Sequence, residues 1–120
     1  MNRKIVSPKQ HALIDYALTA AMLVLPSFLK MNKIVRKIYA AEAAVLLPYV
    51  ALTSQPAAVK SIIPFRVHGR VDRFNLAHFA IQNLFPPFRR HRKELLFNTA
   101  VTLAAGLTIL LTDWNGRTTK

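Results

Sequence analysis

Apolar residues are gathered into four runs separated by short basic stretches, and each run carries its own start and stop signals. Ser7-Pro8-Lys9-Gln10 marks a helix start, with Ser7 as N-cap, Pro8 at the first helical position and Gln10 closing a capping box. The first helix runs to about Leu25, because Pro26 lacks an amide proton and weakens the last turn. After the basic turn Lys30 to Lys37 opens, Asn32 caps a second helix from about Lys33 to Thr53, bent at Pro48. The stretch 54–63 is too short to span a membrane and reads as an interfacial loop or short helix. Pro64 opens a third helix that ends at Phe85, before Pro86-Pro87. The connection Arg89-Arg90-His91-Arg92-Lys93 then leads into a fourth, Glu94 to about Thr112, stopped by Asn115-Gly116.

Polar positions are confined to one side of each helix. At 100° per residue, His68, Asp72, Asn75, His78, Gln82 and Asn83 share an arc of roughly 140° on the third helix. The same projection groups His11, Asp15 and Thr19 on the first, and Tyr39, Glu42, Tyr49 and Thr53 on the second. On the fourth it groups Asn98, Thr102 and Thr112 with the small Ala105. A water-soluble bundle would leave the broad apolar faces bare, whereas in lipid they meet acyl chains and the polar stripes turn inward. The pattern predicts an all-α, four-transmembrane-helix bundle with Glu42, Asn75, His78, Gln82 and Asn98 in a polar interior. Spans of about 18 to 22 residues suffice for a ~30 Å hydrocarbon core.

A repeat orders these helices. His11-Ala12-Leu13-Ile14-Asp15 recurs as His68-Gly69-Arg70-Val71-Asp72, and each unit precedes an apolar run ending in proline, then a basic turn. A second run follows, closing on Leu52-Thr53-Ser54 or Leu111-Thr112-Asp113. The chain is thus one domain of two tandem helix-hairpin repeats, about 8–54 and 64–113, with 55–63 connecting them. With an even number of crossings each, the repeats share one orientation about a pseudo-twofold axis along the membrane normal. His11, Asp15, His68 and Asp72 then meet at one membrane face, joined by Thr53, Gln55, Asp113 and Trp114.

The chain has 120 residues, 52% of them apolar, and a net charge of +12, with its 17 Lys and Arg concentrated between the apolar runs. Nucleic-acid binding calls for a basic face with interleaved aromatics on a soluble fold. Here the interruption by apolar helices favours anionic lipid headgroups over nucleic acid, with Arg36, Lys37, Arg89, Arg90, Arg92 and Lys93 as the contacts. Nine basic residues fall on the face of Arg3, Lys4 and Lys120 and eight on the opposite one, so the positive-inside rule gives no decision. The denser packing of the eight favours a cytoplasmic placement for their two turns. The basic Met1 to Lys9 stretch precedes a run that contains Asp15 and lacks a small-residue cleavage site, so that run reads as a retained first span.

No cysteine is present, which removes disulfides, iron-sulfur clusters and thiolate zinc sites. With three glycines and no nucleophile elbow or Ser/His/Asp arrangement, no catalytic residue and no cofactor are assigned. The two His/Asp pairs have two readings. Spaced i,i+4, they can hydrogen-bond on one helix face and tie the bundle together. Alternatively, the quartet His11, Asp15, His68 and Asp72 offers ligands suited to zinc, iron or manganese. No motif such as H-E-x-x-H calls for a metal, so none is expected, but if one binds, these four hold it. His78, beside Gln82, has no second deep histidine to complete haem ligation. Glu42 is costly near a bilayer centre unless paired, and it lies about a turn inside Arg36 and Lys37.

The segments His11 to Tyr16, Leu25-Pro26-Ser27-Phe28, Leu52-Thr53, Ile63-Pro64-Phe65-Arg66-Val67-His68 and Asp72 resemble the SPW-repeat family of small bacterial membrane proteins. The namesake Ser-Pro-Trp is replaced by Leu25-Pro26-Ser27-Phe28 in one copy and Phe85-Pro86-Pro87-Phe88 in the other, and Thr112-Asp113-Trp114 matches the family's T-D-Y-like close. The resemblance implies a four-span, multi-pass bundle in the bacterial inner membrane, with no established reaction. Two functions of different class remain open. One is an accessory protein binding lipid, a membrane-protein partner or a second copy; the other is a small membrane enzyme or metal-binding protein using the quartet.

Overall fold

Local signals set the ends of the helices. In the computed structural model, which describes residues 4–119, the Ser7 hydroxyl accepts from Gln10 N while Gln10 Oε1 accepts from Ser7 N at 2.9 Å, closing the expected capping box. Helix α1 spans Pro8–Phe28 and α2 spans Lys33–Ala51, the latter capped by Asn32 Oδ1 on Val35 N at 3.0 Å. Helix α3 spans Phe65–Gln82, α4 is the single turn Pro86–Arg89, and α5 spans Arg92–Leu111. Of the basic residues tallied above, Arg3 and Lys120 lie outside the described residues.

Several boundaries differ from the sequence expectation. Helix α1 continues through Pro26 to Phe28, since a Schellman closure supplies bonds just beyond the proline: Lys30 N to Ser27 O and Met31 N to Pro26 O. Lys30 takes the left-handed conformation (φ 56°) usually given to glycine there. Helix α3 stops at Gln82 rather than Phe85, because Pro86-Pro87 nucleates α4 as well as ending what precedes it. Between Thr53 and Ile63 there is no helix. Two isolated parallel bridges, Thr53 to Ile63 and Val6 to Thr112, fasten the start of each hairpin to the end of the other.

The helices pack as two hairpins, α1 on α2 and α3 on α5, with α1 also touching α5. Met22, Met31, Val35, Tyr39, Ala43, Phe79 and Phe88 form the buried apolar cluster. Among the described residues ten buried polar or charged residues accompany only twelve buried apolar ones, while Val24, Val45, Phe74, Ile81, Leu103, Leu107 and Leu110 lie exposed. Proteins folded in water bury polar side chains sparingly and rarely expose large contiguous apolar faces.

Among the described residues two helices are long and apolar enough to cross a membrane, α1 and α5, and not the four expected. Helix α2 carries Lys33, Arg36, Lys37 and Glu42, and α3 carries Arg66, Arg70, Asp72 and Arg73, which dilute their apolar runs. Only 28% and 22% of the most apolar windows of α1 and α5 are buried, whereas a soluble core helix is mostly covered.

Candidate functional site

The i,i+4 spacing on α1 and α3 aims both His/Asp pairs into one point at the end of the molecule where the two hairpins are bridged. His11 Nε2 lies 2.9 Å from Asp72 Oδ2 and 3.1 Å from Asp15 Oδ2. His68 Nε2 lies 3.1 Å from Asp15 Oδ2 and 3.2 Å from Asp72 Oδ1. Each imidazole therefore touches the carboxylate of its own helix and that of the other. No two of the four donor atoms are more than 4.8 Å apart, and both histidines are buried.

The other ring nitrogens identify the tautomer. Thr53 Oγ1 donates to the Tyr49 carbonyl at 2.7 Å, so its contact with His68 Nδ1, also 2.7 Å, is one in which the ring N–H donates. Thr112 Oγ1 likewise donates to the Thr108 carbonyl and accepts from His11 Nδ1 at 2.8 Å. Both histidines thus carry a proton on Nδ1 and turn Nε2 toward the carboxylates. Each threonine belongs to the opposite hairpin from its histidine, so neither half assembles a complete site. Aromatic rings enclose it: Tyr49 stacks on His68 with ring centroids 4.2 Å apart, and its hydroxyl donates to the His68 carbonyl at 2.7 Å. Trp114 packs against His11 at 5.1 Å.

Beside the quartet lies a partly open pocket of about 60 Å³, lined by His11, Asp15, Asp72 and Asn75 among apolar walls that include Leu46 and Phe79. A single water requires about 10–15 Å³ by the same measure, so a few fit. Chemically the arrangement offers two neutral-imidazole lone pairs and two carboxylates, or two imidazolium–carboxylate hydrogen-bonded pairs, beside a small, mostly apolar space.

The remaining polar positions form a separate network farther along the bundle. Asn98 is fully buried: its Oδ1 accepts from Tyr39 Oη at 2.8 Å and Gln82 Nε2 at 2.9 Å, and its Nδ2 donates to the Phe79 carbonyl and Asn83 Oδ1, both at 2.8 Å. Gln82 is buried with it, and Asn75 is half-buried at the pocket. His78 departs from its expected interior place: its side chain is 57% exposed at the rim between α2 and α3, where Nε2 meets Glu42 Oε2 at 2.6 Å. Glu42 accordingly pairs with His78 and Gln82.

Of the basic residues assigned to headgroups, Arg36, Lys37, Arg89, Arg90 and Arg92 are exposed, while Lys93 donates to the Leu29 and Lys30 carbonyls and closes the end of α1. The partner roles of Thr53, Thr112 and Tyr49 were not assigned by sequence reasoning, although the recurrence of Leu-Thr at the close of both second runs marks the two threonines. Nor was Glu94, whose Oε2 accepts from Asn32 N and Nδ2, both at 2.9 Å, pinning the start of α2.

These features define an all-helical double hairpin with a His₂Asp₂ cluster shared between its halves. Comparison with family models, curated proteins and solved structures finds no match.

Proposed function

We propose that this chain is a small multi-pass membrane protein, its four long helices embedded in lipid, whose His11/Asp15/His68/Asp72 quartet binds one divalent transition metal. The observation that carries the metal reading is the shared Nδ1 contact: each Nδ1–H is committed to a threonine hydroxyl, leaving both Nε2 atoms on the carboxylates. Metal-bound histidines are held in this way by an outer partner on the second nitrogen. Bonds of about 2.0 Å in a tetrahedral site place ligand atoms about 3.3 Å apart; the four His–Asp separations of 2.9–3.2 Å are close to that, and the wider separations in the quartet, up to 4.8 Å, would close on the ion. Two nitrogen and two carboxylate donors suit zinc, iron or manganese.

The membrane reading rests on the exposed apolar faces of α1 and α5 and on the polar residues inside. Arg66, Arg70 and Arg73 on α3 and Lys33, Arg36 and Lys37 on α2 lie within three turns of a helix start, from which long side chains reach the interface. The resemblance to SPW-repeat proteins belongs to the same proposal and implies a bacterial inner membrane; its His and Asp positions are those of the quartet.

A second reading, an accessory protein whose quartet is a metal-free clamp, is favoured by one observation: the His–Asp separations are already hydrogen-bond lengths. Elemental analysis of detergent-purified protein separates the two. About one equivalent of metal per chain, lost in both His11→Ala and His68→Ala, is expected. Metal-free protein that gains none on addition of zinc, iron(II) or manganese, and whose same variants merely melt earlier, would leave the clamp.

A further inference from the structure

A groove of about 450 Å³ runs along the outward side of α3, lined by Arg66, Gly69, Arg70, Arg73, Trp114 and Asn115. The three arginines recur at i, i+4 and i+7 and so share one helix face. Arg66 Nη2 donates to Asn115 Oδ1, which holds one wall. Arg70 and Arg73 have no ion pair or hydrogen bond to any side chain or carbonyl among the described residues. The floor is closely fitted: a Cβ on Gly69 would come within 2.9 Å of the Trp114 ring, so the indole lies directly on the helix backbone. Alongside the arginines α3 exposes Val67, Val71 and Phe74, the last at 78%.

We infer that this groove binds the phosphate of an anionic lipid. Two unpartnered guanidinium groups one turn apart present planar donor forks matched to phosphate oxygens. A free phosphate would use the same forks, but the neighbouring apolar stripe gives an acyl chain a surface that an inorganic ion does not need. The site lies at the bridged end of the bundle, opposite the basic turns that the sequence marked for headgroups. The inference rests on the membrane reading above and is independent of the metal.

Trp114 is the single tryptophan of the chain and lines the groove, so its fluorescence reports occupancy. Full-length protein in micelles of a neutral detergent with phosphatidylcholine is titrated with phosphatidylglycerol. A saturable change in emission is expected, with half-saturation shifted upward about tenfold or more in the Arg70→Gln/Arg73→Gln variant, at about 1 kcal/mol per arginine at an anionic surface. The Lys9→Gln/Lys60→Gln variant, which removes the same charge from exposed positions outside the groove lining, should titrate as wild type, and circular dichroism checks that all variants keep their helices. No saturable response in wild type would overturn the inference. So would an unchanged midpoint in the Arg70/Arg73 variant, or an equal shift in the Lys9/Lys60 variant. Inorganic phosphate saturating at the same concentration would overturn the lipid assignment. A protein that stays folded and monodisperse without detergent would instead sink the membrane reading.

Discussion

The two halves of the chain agree at one end and part company toward the middle. A shift of 57 residues maps the first helices, His11 onto His68 and Asp15 onto Asp72, and a shift of 59 maps the second, Thr53 onto Thr112. At that end the four His and Asp residues and the two threonines are identical between the halves and the bridges correspond, Val6 to Thr112 in one case and Ile63 to Thr53 in the other, whereas the enclosing rings differ, Tyr49 standing where Thr108 does and Trp114 where Gln55 does. Farther along, Leu18 stands where Asn75 does, Ala21 where His78 does, Leu25 where Gln82 does, and Val101 where Glu42 does. Tyr39 and Asn98 are also equivalent positions, and they hydrogen-bond to each other. Identity persists where both halves contribute to a single site, since a change in either copy alters the whole. Away from it each half needs only to pack, and the apolar residues at Ala21 and Val101 show that the architecture accommodates such side chains there.

The largest effect on stability should come from the unequal middle. Asn98→Leu removes a residue that accepts two hydrogen bonds and donates two, leaving the Tyr39 hydroxyl, the Gln82 amide, Asn83 Oδ1 and the Phe79 carbonyl short of a partner. With several buried groups stranded together, a loss of about 3 kcal/mol is expected in reversible unfolding of the detergent-solubilised protein. A loss under about 1 kcal/mol would mean that the network is incidental to the packing of α3 on α5.

The equal end should respond equally. Thr53→Val and Thr112→Val each remove the acceptor that fixes one histidine's Nδ1–H without touching a donor atom of the quartet. Loss of such an outer partner lowers metal affinity about 10- to 100-fold. Competition against a chelating dye should give the two variants values within about threefold of each other, and binding should weaken as the pH falls, because protons compete for the ligand atoms. One silent variant beside one that loses metal would show that the repeat is a matter of ancestry and not of shared duty.

The quartet was legible because two cues agree: i,i+4 spacing puts each pair on one helix face, and the recurrence of the unit in a doubled hairpin brings the faces together. The caps at Ser7 and Asn32 were equally plain, being local chemistry. What escaped was set by how the hairpins lean on each other. His78 sits on the same 140° arc as Gln82, and only the opening between α2 and α3 turns it outward. Glu94 marked the start of a helix in the sequence, but its service to Asn32 spans 62 residues, and no periodicity reports that. Four equal spans were inferred from apolar faces, while the charges on α2 and α3 leave two helices that qualify by length and composition.

The smallest effect should fall on the pair that only one half possesses. Glu42 and His78 meet at a rim between α2 and α3, and in lipid the desolvation of such a pair roughly offsets its attraction, so replacing both partners by apolar residues changes stability by no more than about 1 kcal/mol. Glu42→Val with His78→Ala installs the residue types found at the equivalent positions, so the double variant should unfold within about 1 kcal/mol of wild type. It should also keep its full metal affinity. The pocket beside the quartet shares Leu46, Asn75 and Phe79 with the groove that Glu42 and His78 line, so the two sites are neighbours. If the double variant lost metal while its stability held, the rim pair would belong to the site, and the division into a shared end and an independent middle would fail at that point.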